Sequence, residues 1–179
     1  MSRRTIAIAA ALSVLALGSP LVIANANPLA DNSFNSGVDK YEQGDYQGAI
    51  ADFTKVIEIY PQNADAYNNR GLAKDESGDH EGAIADYDRA IEINPKFVLA
   101  YYNRGIAKYN LKDYQGAIAD YTKAIELDPQ NANAFVSNAF VTRGVARELV
   151  NDLEGACRDW RKAADLGLTQ PAQWVKKQC

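Results

Sequence analysis

The chain has 179 residues, 23 acidic and 19 basic, with one histidine and two cysteines. A net charge of −4 gives no electrostatic case for a nucleic-acid partner, and no basic patch is present to hold an anionic membrane. One histidine, two thiols and no glycine-rich phosphate loop set out neither a metal site nor a catalytic constellation, so an enzyme is not expected and no cofactor is implied.

In chain order, Met1-Ser-Arg-Arg4 puts positive charge ahead of an apolar run from Ile6 to Leu17. Gly18, Ser19 and Pro20 break the run, and Ala24-Asn25-Ala26 offers small residues for cleavage, which predicts a secretory signal peptide over 1–26. An uncleaved anchor is the rival, because apolar residues continue to Ile23; only in that case would a membrane hold the protein. Arg3-Arg4 faintly resembles a twin-arginine signal. The mature domain is then 27–179, in a periplasm, the extracellular space or a thylakoid lumen.

Beyond the leader, helices are predicted at about Ala30 to Gln43, Tyr46 to Ile59, Ala64 to Ser77, His80 to Ile93, Val98 to Leu111 and Tyr114 to Leu127. The second of each pair repeats one phrase: YQGAIADFTKVIEIYP from Tyr46, HEGAIADYDRAIEINP from His80, YQGAIADYTKAIELDP from Tyr114 and LEGACRDWRKAADLG from Leu153. Ala49, Ala83 and Ala117 lie 34 residues apart, as do Pro61, Pro95 and Pro129. A period of that length belongs to helix pairs stacked in a row. Ala83, Ile84, Tyr87, Ala90 and Ile91 recur at three- and four-residue steps, so each second helix has an apolar face that a single pair cannot cover. Asp45, Asp79 and Asp113 serve as caps and the prolines as stops.

The first helices repeat too: Tyr67-Asn-Asn-Arg-Gly71, Tyr101-Tyr-Asn-Arg-Gly105 and Phe140-Val-Thr-Arg-Gly144. On these residues the chain resembles the tetratricopeptide repeat family, whose pattern asks for an aromatic and a glycine, then a small residue, an aromatic, an alanine and a proline. Tyr67, Gly71, Ala83, Tyr87, Ala90 and Pro95 supply it, and Tyr101, Gly105, Ala117, Tyr121, Ala124 and Pro129 supply it again. The first unit departs at Ser33 and Val56, and the last has Leu168 in place of the proline. The resemblance implies an all-α fold: a right-handed α-solenoid of about four helix-turn-helix units, near 30–63, 64–97, 98–131 and 132–170, with a capping helix at 171–179.

The rhythm breaks once, because Gly105 and Gly144 stand 39 residues apart. The surplus falls in Gln130 to Phe140 and reads as a first helix lengthened by over a turn, either a tolerated insertion or a partner contact through Phe135 or Phe140. Arg70, Arg104 and Arg143 precede the glycines, and Asp52, Asp86, Asp120 and Asp159 precede the second-helix aromatics. Pairing between units is expected, Arg70 with Asp52, Arg104 with Asp86 and Arg143 with Asp120, with pairing inside each unit as the alternative. A capping helix running back antiparallel from Gly167 would return Cys179 close to Cys157, so a disulfide is expected in an oxidising compartment, with Trp174 covering the last repeat. His80 stands where other units carry Tyr46, Tyr114 and Leu153 and reads as a repeat position.

In the family, first helices line a concave groove that receives a partner peptide. The resemblance assigns to that groove Phe34, Val38 and Tyr41, then Asn68, Leu72 and Asp75, then Leu99, Tyr102, Ile106 and Tyr109. Glu42, Asp65 and Glu76 edge it, which suits a segment with apolar and some basic side chains. The cations by which some members clamp a chaperone's carboxyl terminus are missing, since Phe34, Val38, Asn69, Leu99 and Asn103 occupy those places. The expected function is a non-catalytic, exported protein–protein interaction module; the alternative is an assembly or chaperone-like factor for membrane or secreted complexes.

Overall fold

The computed structural model describes residues 27–128 and 134–179. The predicted leader, Pro129 and positions 130–133 lie outside them. The described residues form nine helices: α1 (Pro28–Glu42), α2 (Tyr46–Ile59), α3 (Ala64–Glu76), α4 (His80–Ile93), α5 (Val98–Asn110), α6 (Tyr114–Leu127), α7 (Ala134–Leu149), α8 (Leu153–Asp165) and α9 (Thr169–Gln178). Among these residues no helix is long and apolar enough to cross a membrane.

The helices begin where they do because a side chain satisfies an orphan amide there. Asp45, Asp79, Asp113 and Asp152 each accept from the amide of the glycine three residues on, at 2.9–3.0 Å. That glycine is required, since a Cβ at Gly48, Gly82, Gly116 or Gly155 would fall 2.1 Å from the capping carboxylate. The turn inside each unit passes through a left-handed residue: Gly44, Gly78, Lys112 and Asn151. Between units, Asn63 caps α3 by accepting from Ala66 N at 2.9 Å.

Packing follows from one contact repeated four times. The second-helix aromatic lies flat against the first-helix glycine of its own unit: Phe53 on Gly37, Tyr87 on Gly71, Tyr121 on Gly105 and Trp160 on Gly144. An added Cβ would meet the ring at 2.4–2.9 Å in every unit. The same aromatics reach the next unit, where Phe53 clusters with Ala73 and Tyr87 with Ala107. Tyr121 clusters with Val136 and Ala139. Small residues thus let backbones approach while one ring fills the wedge between three helices. The result is an α-solenoid in which helices touch their sequence neighbours, and each first helix also touches the next first helix. The second helices make no comparable contact with one another among the described residues, so the first helices line the inner side of the curve.

The last unit keeps this geometry despite its insertion. Counted from the midhelix glycine, α3, α5 and α7 all end five residues later, whereas α7 starts three residues further upstream than the others. The lengthening is therefore at the N-terminal end of α7, where Val136 is buried against the third unit and Ser137 is buried as well. Beyond α8, Gly167 adopts φ +93° and the chain turns back into α9. The Trp174 ring meets Trp160 edge-on at 5.3 Å, and Cys179 is bonded to Cys157 with Cα atoms 5.8 Å apart.

Candidate functional site

The inner side of the curve is a stripe of residues three and four apart on each first helix, which places them on one face. Aligned across the four units, the stripe forms rows. One row is Val38, Leu72, Ile106 and Val145, all half-buried. The row toward the N-terminal ends is Phe34, Asn68, Tyr102 and Val141; the row toward the C-terminal ends is Tyr41, Asp75, Tyr109 and Glu148. Leu99 adds a half-buried aliphatic at the start of α5.

Two of the residues assigned to the groove are withdrawn from it. Asn68 is 4 % exposed and Tyr102 is 4 % exposed, so neither is available to a partner. Asn68 accepts from Asn103 Nδ2 at 3.0 Å, a buried link between α3 and α5. Tyr102 tilts onto Tyr121 at 5.8 Å, and burial pushes its hydroxyl up to about 12. The physical reason is the crossing of adjacent first helices, which closes over this row in the two central units and leaves Phe34 and Val141 half-buried at its ends. Phe34 is half-buried and packs edge-on to Phe53 at 5.5 Å.

At the C-terminal row, Tyr41 packs on Tyr46 at 5.6 Å and Tyr109 on Tyr114 at 5.4 Å. The second unit replaces this aromatic pair with Asp75 and His80, joined through Nδ1 at 2.6 Å. His80 is thus more than a placeholder, and the sequence signal for it was the paired loss of tyrosine at positions 75 and 80. Burial, together with the charges of Glu76 and Asp75, pushes the Tyr41 phenol well above its ordinary range. Tyr109 is raised the same way, by burial and by neighbouring Tyr114 and Glu148.

The expected ion pairs between units are not formed. Arg70 donates to Asp86, Arg104 to Asp120 and Arg143 to Asp159, each through two nitrogens at 2.6–2.9 Å and all within one unit. The cause is the glycine–aromatic contact: because Gly71 touches Tyr87, the residues just before them, Arg70 and Asp86, must also face each other. The third nitrogen of each arginine reaches back to the preceding unit, Arg70 to Thr54, Arg104 to Asp88 and Arg143 to Thr122. The guanidinium planes lie over Tyr67, Tyr101 and Phe140, each 5.5 Å from the ring centroid. Phe140 therefore has a structural partner, and the insertion brings it to the place that Tyr101 holds one unit earlier. In the first unit, where Ser36 replaces the arginine, Asp52 accepts from Ser36, Lys40 and Lys55 at 2.6–2.7 Å. Burial alone would raise that carboxyl, but these donors outweigh it and hold it well below the usual carboxylate range. Among the described residues no group of three or more histidine, cysteine or acidic side chains is arranged to hold a metal ion.

A row of helix hairpins with an open, half-apolar inner side defines a class of protein, the α-solenoid that serves as a protein–protein interaction module. Residues 98–131 match the family model described as tetratricopeptide repeat, and residues 37–74 and 76–112 match one described as TPR repeat. The chain belongs to the tetratricopeptide repeat family. Its structure is similar to that of MamA, with TM-score 0.71 and 25 % identity over 79 % of this chain and 80 % of that one. It is also similar to the TPR domain of Arabidopsis OM64, with TM-score 0.62 and 30 % identity over 68 % and 96 %. A third similar structure is the first TPR of Spaghetti (RPAP3) bound to the HSP90 peptide SRMEEVD, with TM-score 0.62 and 27 % identity over 72 % and 98 %. No curated protein sequence matches the chain.

Proposed function

We propose that this chain is an exported, non-catalytic interaction module that receives a partner polypeptide along the inner side of its first helices. The observation that carries the reading is the aliphatic row Val38, Leu72, Ile106 and Val145, which runs half-buried across all four units with no described helix laid over it. A row of apolar side chains at regular spacing is what an extended or helical segment needs in order to dock its own. The similar Spaghetti structure carries a bound peptide, which supports the mode. A peptide ending in acidic residues, like that one, does not suit this chain: Asn103 is turned inward to Asn68, and Asn69 donates to the carbonyl of Asp65. Export is supported by the leader pattern of 1–26 and agrees with a disulfide between Cys157 and Cys179.

The test is site-specific photocrosslinking in the native compartment. A photoreactive residue at position 72 or 106 is expected to capture one partner polypeptide, whereas the same residue at Lys123, exposed on α6, captures none. Adducts from position 123 alone would defeat the groove. Adducts with many unfolded chains would transfer the protein to the assembly or chaperone-like alternative. N-terminal sequencing of the mature protein is expected to begin at Asn27.

A further inference from the structure

We infer that the occupant of the groove is a cationic, apolar segment, in which aliphatic side chains meet the Val38–Leu72–Ile106–Val145 row and lysines or arginines meet the C-terminal row beside it. The inference rests on the groove reading and adds the chemistry of the partner.

The charge of this face is decided by where its cations go. Every lysine and arginine on the four first helices is turned away from the groove and bonded to the buried aspartate of its own second helix. Lys40 takes Asp52; Arg70 and Lys74 take Asp86; Arg104 and Lys108 take Asp120; Arg143 and Arg147 take Asp159. The acids of the same helices have no such claim on them. Glu42, Asp65, Glu76 and Glu148 meet no lysine or arginine among the described residues, and Asp75 meets only His80. The apolar inner wall is therefore edged by carboxylates that no lysine or arginine among the described residues neutralises. This holds although the four first helices carry seven basic and seven acidic side chains, because the fold turns the basic ones to their own second helices.

The C-terminal row also has the composition that long cationic side chains prefer. It alternates Tyr41, Asp75, Tyr109 and Glu148 on successive helices, with Glu76 beside Tyr41. A carboxylate next to an aromatic ring offers an ammonium or guanidinium both a charge partner and a π-face, while the methylene stem covers apolar surface. Adjacent first helices stand about 10 Å apart, close to the about 10 Å spanned by three residues of extended chain. A segment with a basic residue every third position, and aliphatics between, can meet successive notches.

The experiment uses the full mature chain with its disulfide intact and three labelled nine-residue peptides read by fluorescence anisotropy. One repeats Lys-Leu-Leu, one replaces every lysine with glutamate, and one replaces every leucine with serine. The lysine–leucine peptide is expected to bind at least tenfold more tightly than either analogue and to weaken several-fold between 50 and 300 mM salt. Glu76→Gln with Glu148→Gln is expected to cost it fivefold or more, whereas Glu58→Gln with Glu126→Gln, the same charge change on second helices, leaves it unaffected. Equal binding of the lysine and glutamate peptides, or equal loss from both pairs of variants, overturns the cationic preference and leaves the groove standing. Failure of all three peptides also overturns this inference, and the crosslinks at positions 72 and 106 then judge the groove by themselves.

Discussion

At the scale of single residues, the repeated glycine–aromatic contact strands two polar atoms among the described residues, the Tyr87 hydroxyl and the Trp160 indole nitrogen. The Tyr87 hydroxyl is buried and has no hydrogen-bond partner among the described residues, although its ring fills the wedge between α3, α4 and α5. The first unit has Phe53 in the same place, so the hydroxyl is dispensable for packing. A buried, unpaired hydroxyl carries a desolvation cost, and Tyr87→Phe is expected to stabilise the protein by about 1 kcal/mol. Tyr121→Phe is the internal contrast, because that hydroxyl has Thr142 as a side-chain partner and its loss is expected to destabilise. Urea-denaturation midpoints of the two variants decide it; a rise for Tyr121→Phe would mean the bond to Thr142 is worth nothing. Asp52 supplies a pH dependence of known sign. Its folded carboxyl lies below the ordinary value, so its contribution is complete above about pH 4 and is lost as pH falls through the lower folded value. Asp52→Asn is therefore expected to be less stable than the parent at pH 7, with the gap closing in acid when thermal midpoints are followed from pH 6 to pH 2.

At the scale of elements, much was legible because local chemistry and period agreed. The helices expected at Tyr46 to Ile59, His80 to Ile93 and Tyr114 to Leu127 have the observed bounds, since an aspartate–glycine cap opens each one. Partner choice was less legible. A repeat of 34 residues gives every arginine two equivalent aspartates, one in its own unit and one in the unit before, and only the ring lying on the glycine chooses between them. The stripe on the first helices likewise shows which residues share a face but not how far the neighbouring helix closes over it, which is why Asn68 and Tyr102 proved to be core. One element departs from its siblings at a cost the comparison of units exposes. The turn between α5 and α6 passes through Lys112 at φ +64°, where Gly44 and Gly78 occupy the earlier turns. A lysine there has a strained backbone, partly offset by the smaller entropy it gives up on folding compared with glycine. Lys112→Gly is expected to gain up to about 1 kcal/mol, read from denaturation midpoints. Asn151 holds the matching turn of the last unit with less strain, so Asn151→Gly is expected to gain less.

At the scale of the molecule, a stack whose units touch mainly their neighbours is only as firm as its ends. On α1 the positions that would receive a preceding hairpin are Asn32 and Asp39, both exposed, where α3 has the fully buried Ala66 and Ala73 and α5 has Ala100 and Ala107. The first unit thus turns a polar side outward. The other end is closed differently: α9 lays Trp174 on Trp160, and the bond from Cys157 to Cys179 ties the end of the helix to the start of α8. Closing a loop of 22 residues removes chain entropy from the unfolded state equivalent to about 3 kcal/mol. In a globular core that loss would be shared by the whole domain, but here nearest-neighbour coupling should confine much of it. Cys179→Ser is expected to lower the protection of α8 and α9 amides against hydrogen exchange by an order of magnitude or more, to affect α7 less, and to leave α1 and α2 unchanged. Uniform loss of protection from α1 to α9 would instead mean that the four units unfold as one body, and that the trough across them is held by global cooperativity and not by the succession of local contacts described above.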